Sequence, residues 1–242
     1  MYDLSMDRTF DTFDAVVEES KVLTPRNKDI RFRVPSDKPF HFKAGQFVQI
    51  FVPLPDKVKR TSYSIASAPQ RHDVFDLCVT HVEGGPSSTF LHNLKPGDKI
   101  QALGPLGKFT MPLPVKRDQV FIATGSGIAP FRSMIGDLFA NNINHDVYLI
   151  FGNRYDDDII YKDEWDALAK VNKNFKHYLT LSRPDKWTGP KGYVQDGIEK
   201  FVPDPASKDY YICGLSNMIN GVQEKLLSLG VPKEQIHYER YD

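Results

Sequence analysis

Two rhythms run along this chain, and they meet at Met111-Pro112-Leu113-Pro114-Val115-Lys116-Arg117-Asp118. Before that stretch, apolar residues come in short β-rich runs broken by turns, at residues 13–17, 30–34, 46–52, 62–65, 74–82 and 99–103, and only 87–94 reads as a short helix. Several of these runs alternate apolar with polar, the mark of a strand with one face on a core. This half reads as a small antiparallel barrel or sandwich. Beyond the two prolines and the charge cluster, strands at 119–123, 147–151, 175–181 and 210–213 are followed by helices at 130–140, 161–169, 196–201 and 217–229, with a last short strand at 236–238. Strand and helix in alternation predict a parallel sheet covered on both faces. A boundary here divides the chain into residues 1–115 and 116–242.

Composition narrows the chemistry. The two cysteines, Cys78 and Cys213, are too few for a disulfide framework, for a cysteine-built zinc site or for an iron–sulfur cluster, which takes about four thiolates. No metal site is expected. With 31 basic and 31 acidic residues the chain lacks the basic excess of a nucleic-acid binder. Met1-Tyr2-Asp3-Leu4-Ser5-Met6-Asp7 is acidic where a signal peptide is basic, and no apolar run approaches the ~18 residues of a membrane span. A soluble cytoplasmic protein is the expectation. The neutrality is a cancellation, however. Residues 21–60 hold ten basic residues against Asp29, Asp37 and Asp56, while residues 1–20 hold Arg8 against six acids. Such a stretch is either a set of solvated strand faces or a docking face for an acidic partner.

In a parallel sheet, ligands gather outside the carboxyl ends of the strands, where loops meet helix N-termini whose free N–H groups favour anions. Here those ends read Thr124-Gly125-Ser126-Gly127-Ile128-Ala129-Pro130, Gly152-Asn153-Arg154, Ser182-Arg183 and Cys213-Gly214-Leu215-Ser216. Glycines 125 and 127 let backbone approach a phosphate, and Pro130 suits a first helical turn. One such loop is an ordinary tight turn; four in register predict a nucleotide site. Proline in the sixth position departs from the G-x-G-x-x-G fingerprint, and no Gly-Lys-Ser/Thr ending makes a Walker loop.

From about Phe13 onward the chain resembles the ferredoxin–NADP reductase-like family of flavoproteins, a β-barrel that binds FAD followed by an α/β domain that binds NAD(P)H. The resemblance rests on Ala44-Gly45-Gln46-Phe47-Val48, Tyr63-Ser64-Ile65-Ala66-Ser67, Gly84-Gly85-Pro86-Ser87-Ser88-Thr89-Phe90-Leu91, Leu94-Lys95-Pro96-Gly97-Asp98 and Gly104-Pro105-Leu106-Gly107-Lys108-Phe109 in the first half. In the second it rests on Thr124 to Pro130, Phe151-Gly152-Asn153-Arg154, Asp158-Ile159-Ile160-Tyr161, Ser182-Arg183 and Cys213-Gly214.

The resemblance implies roles. Tyr63, Ser64 and Ile65 match the flavin-holding Arg-x-Tyr-Ser strand, with the Ser64 hydroxyl toward flavin N5. Arg60 stands three residues before Tyr63 instead of two, which in a strand is the opposite face unless a bulge corrects it. Thr80, His81 and Val82 lie where relatives contact flavin and ribityl chain, and Gly84, Gly85, Ser87 and Ser88 match the pyrophosphate turn and helix. Thr124 and Cys213 would border the nicotinamide, with Gly125, Gly127, Pro130, Asn153, Arg154 and Gly214 along the dinucleotide. Glu239 and Tyr241 match a terminal carboxylate and flavin-stacking aromatic, Asp242 being one residue beyond the usual end. Ser182, Arg183, Lys191 and Tyr193 fit a 2′-phosphate pattern, favouring NADPH with NADH open. The implied activity is electron transfer from NADPH through FAD to a separate acidic ferredoxin or flavodoxin. Two alternatives stay open: an NADH-dependent reductase of an oxygenase, free flavin or quinone, and a non-catalytic relay or sensor subunit.

Overall fold

The computed structural model describes residues 12–37 and 39–241; the acidic N-terminal stretch and Asp242 lie outside the described residues. Strands β1 (Thr12–Thr24), β2 (Asn27–Arg33), β3 (Phe47–Pro53), β4 (Val58–Ser64), β5 (Val74–Thr80) and β6 (Lys99–Leu106) form one antiparallel sheet in the order β4-β3-β6-β1-β2-β5. Its two edge strands meet at a single bridge, Ile65 to Leu77, which closes the sheet into a barrel. Alternation builds the interior: Val48, Ile50 and Val52 of β3 are buried while Phe47, Gln49 and Phe51 are only half-buried. Helix α1 (Pro86–Asn93) plugs the barrel with Leu91, and Leu94 follows it into the same core.

Several strands run longer than the sequence expectation, β2, β4 and β6 among them, and two differences bear on the site. β1 runs on to Thr24, because register shifts at Val17/Glu19 and Val22/Thr24 break its alternation and leave Val22 exposed. A strand bent by bulges keeps its ladder but loses the period of two that reveals it. β5 ends at Thr80, so His81 and Val82 belong to the turn before α1 and not to the strand.

The second half alternates as expected: β7 (Gln119–Thr124), a 3-10 turn (Gly125–Ile128), α2 (Ala129–Ala140), β8 (Val147–Asn153), α3 (Lys162–Val171), β9 (Phe175–Leu181), α4 (Val194–Phe201), β10 (Asp209–Gly214), α5 (Ser216–Ser228) and β11 (Ile236–Arg240). All five strands are parallel, in the order β11-β10-β7-β8-β9. Successive residues feed opposite layers. Phe121, Ala123, Tyr211 and Cys213 pack with Phe131, Met134 and Trp165 beneath α2 and α3, while Val120, Ile122, Tyr210 and Ile212 pack with Ile198, Ile219 and Leu226 beneath α4 and α5. That two-sided burial is why these strands read as unbroken apolar runs. The α2–α3 layer also contains Ala44, Ala66 and Cys78 from the barrel, so the two halves share one continuous apolar junction. Among the described residues no helix is long and apolar enough to cross a membrane.

Candidate functional site

The sheet order reverses at β7, with β8 on one side and β10 on the other, and a crevice opens at that reversal. It is a cleft of about 830 Å³ between the carboxyl ends of the parallel strands and the end of β5. Thr124, Gly125, Gly127, Asn153, Arg154, Ser182, Tyr193 and Gly214 line it from the α/β side. Thr80, His81 and Val82 line it from the barrel, and Tyr241 from the C-terminus. Tight packing holds these loops together: a Cβ on Gly127 would fall 2.4 Å from the Cys213 carbonyl oxygen. Two other glycines face open space. Gly125 at φ +52° and Gly84 at φ +70°, like Gly97 and Gly230 elsewhere on the surface, have nothing within 4 Å of where a Cβ would project, so backbone is open to a ligand there. The Asn153 side-chain amide nitrogen is buried without a partner among the described residues, although Asn153 borders the cleft.

Beside the cleft, one cluster crosses the domain junction. Glu239 is the register partner of Cys213 on the β10–β11 pair, and Ser64, the last residue of β4, donates from Oγ to Glu239 Oε2 at 3.5 Å. Burial raises the Glu239 carboxyl to about 7, with the Ser64 hydrogen bond pulling the other way. Burial and then the Glu239 charge push the Cys213 thiol well above its ordinary value. Cys213 is therefore a neutral thiol, fully buried behind the cleft lining, and not a thiolate nucleophile. Cys78 is likewise a buried thiol, at about 12 through burial and then Asp29. The Tyr241 N–H donates to the Gly214 carbonyl at 3.0 Å, while its hydroxyl is buried beside Ser64 and Cys213. Burial raises the Tyr63 phenol to about 12, which keeps it neutral.

On the barrel, β3 and β4 pair without a register shift from Pro53–Val58 to Phe47–Ser64. No bulge turns Arg60 toward Tyr63. Its guanidinium lies over the Phe51 ring, 4.9 Å from the centroid, on the opposite face. Thr61 takes the place two residues ahead of Tyr63, and its hydroxyl is 2.7 Å from that of Ser87 on α1. Gly85 is the N-cap of α1, whose first-turn N–H groups have no intrahelical acceptor. The Ser88 hydroxyl is engaged inside the turn, accepting from Val82 N–H and donating to the Gly85 carbonyl, both at 3.0 Å. Ser88 therefore braces the turn that presents the helix end.

Pro130, Arg183, Lys191, Cys213 and Glu239 fall outside the cleft lining, as do Arg60, Tyr63 to Ile65, Gly84, Gly85, Ser87 and Ser88 of the barrel, although Arg183 N–H ties to the Arg154 carbonyl at 2.8 Å and Lys191 bridges Leu181. Sequence reasoning overlooked Arg26 and Asn27, which line the cleft. Asn27 accepts from the Thr80 hydroxyl at 2.5 Å, and Arg26 lies 3.9 Å from Asp158. Only β2–β5 pairing brings that turn to the site, so no local motif announces it.

Known proteins share this arrangement. An oxidoreductase FAD-binding domain model matches residues 14–111 and an oxidoreductase NAD-binding domain model matches residues 121–224. A ferredoxin–NADP reductase B of Sorangium cellulosum is 40% identical over 240 residues, covering 95% of this chain and 98% of the relative. The phenol hydroxylase P5 protein of Acinetobacter pittii is 30% identical over 95% of the chain, which spans 65% of that protein. A ferredoxin NADP+ reductase from Neisseria gonorrhoeae, solved with FAD and NADP bound, shares the fold at a TM-score of 0.83 and 23% identity, with 95% and 98% of the two chains covered. With both halves matched by family models and a relative 40% identical along nearly its whole length, the chain belongs to the ferredoxin–NADP reductase-like family of flavoprotein oxidoreductases.

Proposed function

We propose that the protein takes electrons from NADPH and passes them, through FAD, to a separate acidic carrier such as a ferredoxin or flavodoxin. The observation that carries this reading is the junction cluster, where Ser64 of the flavin strand meets Glu239 beside Cys213 at the edge of the nucleotide sheet. The residues present fit FAD: an open positive-φ glycine at 84, a helix end at Gly85–Ser87, a neutral Tyr63 and a Tyr241 hydroxyl beside Ser64 of the flavin strand. Tyr63, Ser64, Ile65, Gly84, Gly85 and Ser87 would hold the cofactor, and Thr80, His81 and Val82 would line it. Bound FAD supplies the two-electron acceptor that lets hydride chemistry feed a carrier.

The chain's own contribution is placement and exclusion of water. Thr124 and Gly214 pack so closely that a Cβ on Gly214 would lie 2.6 Å from the Thr124 hydroxyl, so a side chain at 214 would force this part of the cleft wall to shift. Glu239, as a carboxylate, stabilises the positive charge that a nicotinamide gains on losing hydride. NADPH is favoured over NADH because Arg154 and Arg183 stand together at the ends of β8 and β9. Asp156 nearby already accepts N–H groups from Asp185 and Lys186 at 2.7 and 3.0 Å. For the partner, exposed Lys57, Lys59 and Arg60 line the edge strand that leads into Tyr63 and Ser64. A cytoplasmic location accords with that role. The test is reduction of the bound flavin by NADPH and by NADH, then turnover with acidic carriers. Preference for NADH with transfer to an oxygenase component moves the protein to the alternative of an NADH-dependent oxygenase reductase.

A further inference from the structure

The helix that begins at the glycine loop is also the surface on which the barrel rests. Arg132, in the first turn of α2, reaches across the junction: Nη1 donates to Asp76 on β5 at 3.2 Å and to the Ala66 carbonyl at 3.3 Å, while Nε donates to Glu164 on α3 at 2.9 Å. One turn further along, a Cβ on Gly136 would fall 2.9 Å from the Ala68 methyl, and Asp137 accepts from Gln70 at 2.6 Å. Every barrel partner in this row lies in residues 66–76, the segment that follows directly from Tyr63-Ser64-Ile65. The α2 end of the row is equally fixed, since Phe131, Met134 and Ile135 are buried against the parallel sheet.

An arginine suits this point. Its planar fork makes bonds in several directions at once, and its face lies over the Tyr161 ring, 4.5 Å from the centroid. Asp76 is gripped from its other side by Arg31, at 2.8 and 3.0 Å, and the Tyr161 hydroxyl donates to Asp29 on β2 at 2.8 Å. The Arg132 side chain is 17% exposed, so these contacts are poorly screened. At about 1.5 Å of rise per residue, Arg132 sits within one turn of the loop at Gly125–Ile128.

We propose that Arg132 is a positioning residue for the hydride transfer: it locks the helix of the nucleotide loop to the segment that follows the flavin strand, and so sets how nicotinamide and flavin face each other. No atom of Arg132 takes part in the transfer, in which the hydride leaves the nicotinamide as a pair of electrons with its proton and reduces the flavin. This rests on the proposed function above.

The test compares holoenzymes of wild type, Arg132→Lys, Arg132→Met and Glu164→Gln by anaerobic stopped-flow reduction, NADP+ titration and hydrogen exchange. Arg132→Met is expected to lower the limiting reduction rate by about ten- to a hundredfold, since small misplacements cost that much. FAD content and NADP+ affinity stay near wild type, and exchange speeds up at residues 66–76 and 129–138 while β3 stays protected. Arg132→Lys is expected to be intermediate, and Glu164→Gln to slow reduction about threefold. A folded, FAD-loaded Arg132→Lys or Arg132→Met that is reduced at the wild-type rate overturns the inference, as does a slowing matched entirely by lost FAD or NADP+ affinity. Should Arg132→Met not fold, wild-type rates and exchange in Arg132→Lys and Glu164→Gln overturn it. A wild type reduced by neither NADPH nor NADH overturns the functional reading and this inference with it.

Discussion

The junction between barrel and α/β domain has two ends of opposite character. At one, Arg132, Asp76, Arg31, Glu164, Asp29 and Tyr161 satisfy one another. At the other, Ser64 reaches Glu239 only at 3.5 Å, and half-buried Tyr241 sets its hydroxyl beside Ser64 and Cys213 without a close hydrogen bond. Both ends place an acid where burial raises its pKa, Asp29 to about 6 and Glu239 to about 7. The difference lies in what surrounds the acid. A closed network holds the domains in register, whereas the loosely satisfied one has donors and acceptors ready for a ligand.

Removing a member of the closed network gives the largest expected effect. Asp76 is buried between two arginines, and Asp76→Ala would leave both guanidinium groups without their shared anion, costing about 3–5 kcal/mol in urea unfolding. An Asp76→Ala protein as stable as wild type would mean that the network holds nothing. Next comes the pH dependence of that end. Asp29 faces Arg132, Tyr161, Asp76, Glu164 and Cys78. Because its carboxyl titrates higher in the folded state than its ordinary 3.8, the folded state binds the proton more tightly. The resulting stability is full below that ordinary value and disappears as pH rises through about 6. By this linkage Asp29→Asn should flatten the loss, which amounts to roughly 2–3 kcal/mol between about pH 4 and 7 in thermal melts.

At the open end the effects should fall on rate. Wild-type flavin reduction is expected to rise with pH through about 7 as Glu239 ionises, and Glu239→Gln should be flat and about tenfold slower at high pH. Stopped-flow profiles of the two proteins decide it; an inflection that survives in Glu239→Gln belongs to another group. Ser64→Ala, the smallest change, should slow reduction a few-fold with FAD still bound, about the worth of one hydrogen bond. If Asp76→Ala altered only rate and Glu239→Gln only stability, the contrast between the two ends would be reversed.

How much of this could be read from the chain alone follows the same division. Strands such as β10, whose Tyr210 to Cys213 are buried on both faces, announce themselves by composition, and Tyr63-Ser64 and the Gly125 loop sit in recognisable motifs. Bulged β1 hid half its length because its alternation fails where the ladder slips. Arg60 matched the flavin motif in type but not in face, and uninterrupted β3–β4 pairing puts Thr61 in its place. Arg26 and Asn27 reach the cleft only because β2 pairs with β5. Arg132 left no trace at all. A charged residue among apolar ones on a helix reads as a solvent face, and only the docking of the barrel turns that face inward.

If the cleft and the junction cluster together move electrons from NADPH into bound flavin, anaerobic mixing of the FAD-loaded protein with NADPH and, separately, with NADH must show it. Stoichiometric FAD, bleached by either nucleotide and faster by NADPH, is the expected result. A colourless protein that takes up no FAD, or a flavin that neither nucleotide reduces, would contradict it.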